Sequence, residues 1–225
     1  MTGVQTCALP ISEAGNERAV VTFATQAIRP RPGYPFALDL AVRYVLDAAG
    51  LTLEAVLRNV GGNPAPAYFG WHPYFSVGRG DCADWELEIP AATLIRTGAD
   101  LEVLAGEAAY LPVEAAPALD FRARRRIGAA ILDQGYADLH PDADGLARTR
   151  LWNPAEGFGL AVWQERGVLH AFTADTLARE PRMAVALEPM EAMANAFNRT
   201  ECAAAIRLEP GAERKFRCGV ALELA

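Results

Sequence analysis

Apolar and polar residues alternate with a period of two along most of this 225-residue chain. The clearest run is Phe36–Leu46, and the pattern returns at Leu51–Leu57 after the turn Ala48-Ala49-Gly50. A period of two is typical of a half-buried β-strand, and two such runs joined by a short turn predict an antiparallel hairpin. Similar runs continue between turn signals to the end of the chain, without a helical pattern longer than one or two turns. The sequence therefore predicts an all-β sandwich or barrel.

Several further segments have strand patterns of their own. Apolar runs predict strands at Ala19–Thr25, Ala184–Leu187 and Ala203–Leu208. The segment Arg29–Pro35 is expected to be a rigid loop, because its three prolines fix φ and lack an amide donor. The prediction is one β domain with no linker inside it.

Composition restricts the partners that the chain can have. The net charge of −7 argues against nucleic acid and anionic membranes, because no positive field is available to recruit them. The four cysteines form neither a CxxC pair nor a cluster with histidine, so no metal site is expected. Their irregular spacing fits reduced thiols in a cytoplasmic protein, and no apolar run reaches the ~20 residues that span a bilayer.

The first eleven residues differ from the rest of the chain. Residues 1–11 have neither the basic start nor the apolar centre of a signal peptide. They look like translated vector or adapter sequence joined to a shortened reading frame. We therefore expect residues 1–11 to be non-native and the folded domain to occupy residues 12–225.

Three titratable residues stand out as candidates for chemistry. His72 lies in the aromatic stretch Gly70–Phe75, and Glu188 follows a short apolar run; a proline comes directly after each of them. A residue before proline is held in an extended conformation, so we expect both side chains to project from stiff backbone. Emergence from an apolar run raises the pKa of a carboxyl group, which suits a general base. Asp133 also follows an apolar run, and the three are predicted to lie at strand ends beside turns.

The motifs that contain these residues resemble those of the aldose 1-epimerase (galactose mutarotase) family, in its bacterial branch. Their order and spacing agree with the family from about residue 13 to the end of the chain. The similar segments are Pro32–Phe36, Gly70–Phe75, Ile131–Leu139, Ala186–Met190, Asn195–Asn198 and Leu208–Gly211.

The resemblance implies a fold, an activity and roles for individual residues. The fold would be a large antiparallel β-supersandwich with a sugar cleft, and the activity would be interconversion of the α and β anomers of a hexose. His72 would be the general acid and Glu188 the general base, while Asp133 would bind sugar hydroxyls. Trp71 and Tyr74 are the aromatic candidates for contact with the sugar ring. No metal or organic cofactor is implied.

The chain also departs from the family pattern. Family members have a longer N-terminal region with an arginine and a second histidine in the cleft, and neither can be placed here. We therefore expect the mutarotase-like domain at 12–225 to be incomplete at its N-terminus, and this chain to be weakly active or inactive. The other two histidines outside the motif, His140 and His170, are predicted to be structural or surface residues.

Two alternatives remain at this stage. One is a hexose-6-phosphate 1-epimerase, for which the arginine run at 122–126 is the only candidate phosphate site; such a run is more often a solvated edge. The other is a non-catalytic carbohydrate-binding protein of the same fold. The physiological sugar and the oligomeric state do not follow from the sequence.

Overall fold

A computed structural model describes residues 11–225. The segment 1–11 was predicted to be non-native, and its residues 1–10 lie outside the described residues. Within the described part of the chain the secondary structure is mostly antiparallel β, with five short 3-10 helices and one α-helix, so the predicted all-β class is confirmed.

The larger sheet has nine strands in the order β1-β2-β3-β4-β17-β13-β12-β7-β10. In chain order these strands are β1 Ile11–Ala14, β2 Arg18–Ile28, β3 Leu38–Asp47, β4 Gly50–Asn59, β7 Glu86–Glu88, β10 Arg125–Arg126, β12 Ala147–Asn153, β13 Phe158–Gln164 and β17 Glu213–Leu224.

The second sheet has six strands in the order β6-β15-β14-β11-β8-β9, and a two-stranded sheet pairs β16 with β5. The ranges are β5 Ala65–Pro66, β6 Tyr74–Phe75, β8 Ala91–Ile95, β9 Tyr110–Pro112, β11 Asp133–Leu139, β14 Val168–Phe172, β15 Val185–Met190 and β16 Arg207–Leu208. The one α-helix among residues 11–225 is α1, Thr200–Ile206.

The main core lies between the two large sheets. Leu87, Leu151 and Val162 come from the nine-stranded sheet, and Leu169 and Leu187 from the six-stranded sheet, and all five belong to one buried cluster. Successive side chains of a strand point to opposite faces. The residues that alternate with Leu169 along β14 and with Leu187 along β15 therefore point away from the main core. That outer face of the six-stranded sheet is the one that holds the candidate site.

The predicted β3–β4 hairpin is confirmed, and its register places Leu38 opposite Asn59 and Asp47 opposite Gly50. Near the turn, buried and exposed side chains alternate less regularly along this hairpin. Leu46, expected on the buried face, is 55% exposed, whereas its neighbour Val45 is 6% exposed. Val45 is paired with Val20 of β2, and both side chains are buried at this end of the hairpin.

The prediction of a strand at Ala203–Leu208 is wrong. Residues 200–206 form α1, and only Arg207 and Leu208 are in a strand. The segment Glu201-Cys202-Ala203-Ala204-Ala205 is rich in alanine, which has the highest helix propensity of all residues. Cys202 and Ile206, four positions apart, both turn toward a satellite core on the outer face of the six-stranded sheet. The spacing of Cys202 and Ile206 is therefore helical, although a short apolar run of this kind also fits a strand.

None of the helices within residues 11–225 has the length and apolar character needed to cross a bilayer.

The core makes a direct stability prediction. Leu87 is fully buried in the main cluster, whereas Leu46 is more than half exposed. Leu87→Ala should lower the free energy of unfolding by about 2–5 kcal/mol, because it removes buried methyl groups and leaves a cavity. Leu46→Ala, the matched control, should change it by less than about 1 kcal/mol. Urea unfolding of both variants tests this, and equal losses would contradict the assignment of the core.

Candidate active site

Three neighbouring strands of the six-stranded sheet bring distant polar residues into one row. Gly135 of β11 is paired with His170 of β14, and His170 is paired with Glu188 of β15. Directly opposed residues in antiparallel strands have Cβ atoms about 4.5–5.5 Å apart. Asp133 lies two residues before Gly135, on the same face, and so is diagonal to His170. The row forms because the alternate residues, such as Leu169 and Leu187, are buried in the core.

His72 reaches this row from the irregular segment before β6. The amide of Trp71 donates to the Pro189 carbonyl (3.0 Å), and Gly70 forms a bridge with Met190. A Cβ at Gly70 would lie 3.0 Å from the Met190 side chain, so glycine permits this close approach. His72 Nε2 is 3.2 Å from Glu188 Oε1.

A second carboxylate holds the His72 segment against β15. Glu191 Oε2 accepts a hydrogen bond from the Phe69 amide at 2.9 Å, and the Glu191 amide donates to the Phe69 carbonyl at 2.9 Å. Its other oxygen pairs with Arg166 at 2.6 Å, and its side chain is buried. Glu191 thus connects the backbone before His72 to the strand of Glu188, a role that its local sequence does not indicate.

The strand-end setting predicted for the three candidates holds for Asp133, but not for Glu188 or for His72, which lies in the irregular segment before β6. Asp133 is the first residue of β11, and Glu188 lies inside β15 rather than at its end. Pro189 does not end β15 because its carbonyl, and hence its nitrogen, points toward the His72 segment. A missing amide on that side removes no hydrogen bond from the ladder with β14.

The residues around His72 and Glu188 enclose a cleft of about 330 Å³. Its lining residues are His72, Asp133, His170, Phe172, Glu188, Met190 and Ala194. A narrower, mostly apolar recess continues beyond Asp133 and His170 toward Leu101 and Met193. The cleft therefore places His72, Asp133 and Glu188 together, and adds His170, which had been predicted to be a structural or surface residue.

Burial raises the pKa of the Glu188 carboxyl group, as its position after an apolar run had suggested. The nearby charge of His170 lowers this pKa and that of Asp133 raises it, and both effects are smaller than that of burial. Because desolvation penalises the charged form, Glu188 takes up a proton more readily than a surface glutamate does. A base of this kind suits proton transfer near neutral pH.

Asp133 and His170 form the second pair in the cleft. His170 Nε2 lies 2.9 Å from Asp133 Oδ1. The Asp133 side chain is 43% exposed and lines the cleft, so its carboxylate remains accessible from there. Gln134 and Gly135 lie within β11, so Asp133 does not cap a turn there.

The two aromatic candidates lie beside His72 but outside the cleft lining. The Tyr74 ring is 5.2 Å from the His72 ring, centre to centre, and is 45% exposed. Trp71 packs against the core cluster that contains Leu53 and Phe216, with its ring edge-on to Phe75. Tyr74 is therefore available to a bound molecule, whereas Trp71 mainly supports the segment that carries His72.

The arginine run at 122–126 does not contribute to the cleft lining. Arg125 and Arg126 form β10 at the edge of the nine-stranded sheet. Arg122 is paired with Asp120, and Arg124 lies near Glu88 and over the Trp152 ring. These ion pairs match the prediction of a solvated edge.

The pKa of Glu188 leads to a stability prediction with a defined sign. A raised pKa in the folded state means that folding costs free energy once Glu188 ionises, above its ordinary pKa near 4.5. The exposed His72 partner offsets only about 0–1 kcal/mol of this cost. Glu188→Gln should therefore raise the melting temperature at pH 7 and have little effect below about pH 4, where the carboxyl group is protonated in both states.

The measurement is thermal unfolding of both proteins from pH 3.5 to 8. In a chain of this size each 1 kcal/mol corresponds to about 2–4 °C. The control is Glu107→Gln, at an exposed position, which should not show this dependence on pH. A Glu188→Gln protein that is less stable than the parent at pH 7 would contradict the role of desolvation.

Comparison with solved structures shows the same fold in several proteins. The aldose epimerase homologue from C. elegans has a TM-score of 0.78 at 16% identity, over 97% of this chain and 69% of that one. Galactose 1-epimerase from Lactobacillus acidophilus NCFM has a TM-score of 0.72 at 19% identity, over 96% of this chain and 66% of that one. At these identities the likeness concerns the fold.

Sequence comparison gives the family. The uncharacterized protein YihR of Escherichia coli (strain K12) is 25% identical over 175 residues, which are 77% of this chain and 53% of YihR. The chain thus spans about half the length of that curated relative. The sequence profile of the aldose 1-epimerase family matches residues 10–221, so this chain belongs to the aldose 1-epimerase family.

Proposed function

We propose that this chain carries the acid–base centre of an isomerase that interconverts the α and β anomers of a hexose. The observation that supports this most directly is the 3.2 Å contact between His72 Nε2 and Glu188 Oε1 at one end of the cleft. In a cyclic sugar the ring oxygen and the anomeric hydroxyl are both bonded to C1. An acid and a base that act on these two oxygens must therefore be close neighbours, as His72 and Glu188 are.

In the proposed reaction, Glu188 removes the proton of the anomeric hydroxyl. The oxygen's electron pair forms the C1 carbonyl as the bond from C1 to the ring oxygen breaks. His72 donates its proton to the departing ring oxygen. Glu188 ends protonated and His72 neutral, so the total charge of the pair is unchanged by ring opening.

Ring closure reverses these transfers on the other face of the carbonyl. Rotation about C1–C2 presents the opposite face of C1 to the hydroxyl that had been the ring oxygen. His72 takes the proton of that hydroxyl as the new bond forms, and Glu188 returns its proton to the carbonyl oxygen. Both groups are then in their starting states, and the sugar has the opposite anomeric configuration.

The remaining cleft residues would bind and orient the sugar. The accessible Asp133 carboxylate would accept hydrogen bonds from sugar hydroxyls, and the exposed Tyr74 ring beside His72 offers an apolar surface to the sugar ring. Trp71 would act through the packing of its segment rather than by contact.

The acid and base assignment is tested by polarimetry on freshly dissolved α-glucose and α-galactose. Glu188→Gln and His72→Asn should each lower kcat by about 10²–10⁴-fold, the usual contribution of a general acid or base. The double variant should lose much less than the product of the two, because the transfers depend on each other. His140→Asn, at an exposed loop position, is the control and should retain activity.

A single variant that keeps the parent rate would contradict the assignment. The rates are measured above a protein-free blank, because free sugars mutarotate slowly in buffer. Saturable sugar binding by the unsubstituted protein without turnover would instead identify a carbohydrate-binding protein.

Asp133→Ala should raise KM more than it lowers kcat. A carboxylate that accepts sugar hydroxyls stabilises the ground state and the transition state about equally, and uniform binding appears in KM. Initial rates over a range of sugar concentrations separate the two constants. If Asp133 served only the local fold, the variant would lose thermal stability while its KM stayed unchanged.

A further inference from the structure

His170 is a titratable side chain in the cleft that the proposed proton transfers do not use. It occupies the middle of the row between Gly135 and Glu188, on the central strand β14. Its strand neighbours Leu169 and Ala171 are fully buried in the main core. The imidazole is therefore fixed on the cleft face, with 23% of its side chain exposed.

The absence of a side chain at Gly135 determines which partner His170 has. Directly opposite His170 on β11 there is no side chain, and a Cβ there would lie 3.0 Å from Ile95. His170 instead meets the diagonal residue, Asp133, with its Nε2 2.9 Å from Oδ1. The pair is set by backbone positions on two central strands rather than by mobile loops.

We infer that His170 is a positioning residue for the acid–base centre, which orients the Asp133 carboxylate and whose positive charge favours the ionised form of Glu188. Its importance for turnover rests on the proposed function, since it matters there only if Glu188 is the base. Its effect on the charge state of Glu188 does not depend on that function.

The charges around Glu188 support this inference. His72 approaches from the segment before β6, His170 from β14 and Asp133 from β11. Strand β13, which also packs against β15, has no charged residue. Directly after β15, the Glu191 carboxylate is already paired with Arg166.

Each of these groups has a defined effect on the base. Burial raises the pKa of Glu188, the His170 charge opposes this, and Asp133 adds to it. An imidazolium directly across the strand from Glu188 therefore offsets part of the desolvation cost.

The test is a carboxyl ¹³C NMR titration of Glu188, whose signal is assigned by its loss in Glu188→Gln. His170→Gln keeps a hydrogen-bonding side chain without the charge, and should move the Glu188 midpoint to higher pH. His170→Lys keeps a positive charge and should leave the midpoint close to that of the parent protein. His140→Gln, the same substitution at an exposed loop, should leave it unchanged.

A Glu188 midpoint in His170→Gln that equals the parent value would overturn the inference. Equal shifts in His170→Gln and His170→Lys would also overturn it, since they would indicate a change of packing rather than of charge. Thermal unfolding of each variant confirms that the folded protein is being titrated.

Kinetics then separate this inference from the proposed function. If Glu188 is the base, the acidic limb of kcat/KM should move to higher pH in His170→Gln, with a several-fold loss of activity below the parent midpoint. If the parent protein does not mutarotate sugars but the NMR midpoints shift as expected, the proposed function fails and the electrostatic role of His170 stands. If the NMR midpoint of Glu188 moves in His170→Gln but the acidic limb of kcat/KM does not, the role of His170 in catalysis is overturned.

Discussion

The register of β11, β14 and β15 is the constraint on which the candidate site depends. Opposed pairing places Gly135, His170 and Glu188 in one row on the cleft face. A slip of one residue would turn Glu188 into the core and Leu187 into the cleft, because successive side chains point to opposite faces. The buried face therefore fixes the register, so the same apolar residues that stabilise the fold also determine the geometry of the polar site.

The sequence predicted the class of fold and much of the site for identifiable reasons. Strand patterns are local, so the β3–β4 hairpin could be predicted from alternation, and β2 and β15 from their apolar runs. His72 and Glu188 were found because each lies in a distinctive motif before proline. The alanine-rich segment of α1 was misread, because a short apolar run fits both a strand and two turns of helix.

His170 and Glu191 could not be identified in the same way, because their roles depend on non-local contacts. His170 stands in the run Val168–Phe172, where a histidine resembles any half-buried strand residue. Only the pairing of β14 with two other strands shows that it faces Asp133 and Glu188. Glu191 likewise meets Phe69, more than a hundred residues earlier in the chain. The sequence shows that polar residues interrupt these apolar strands. It does not show which face of the sheet those polar residues occupy.

The backbone contacts between residues 69–71 and 189–191 have a mechanical consequence. His72 is carried by a segment that is hydrogen-bonded to the same strand that carries Glu188. Thermal displacements of that strand should therefore move both side chains together, so their separation varies less than the distance of either one from the opposite cleft wall. Widening of the cleft to admit or release a ligand can then occur on the side of Leu101 and Met193, while the distance between His72 and Glu188 stays nearly constant.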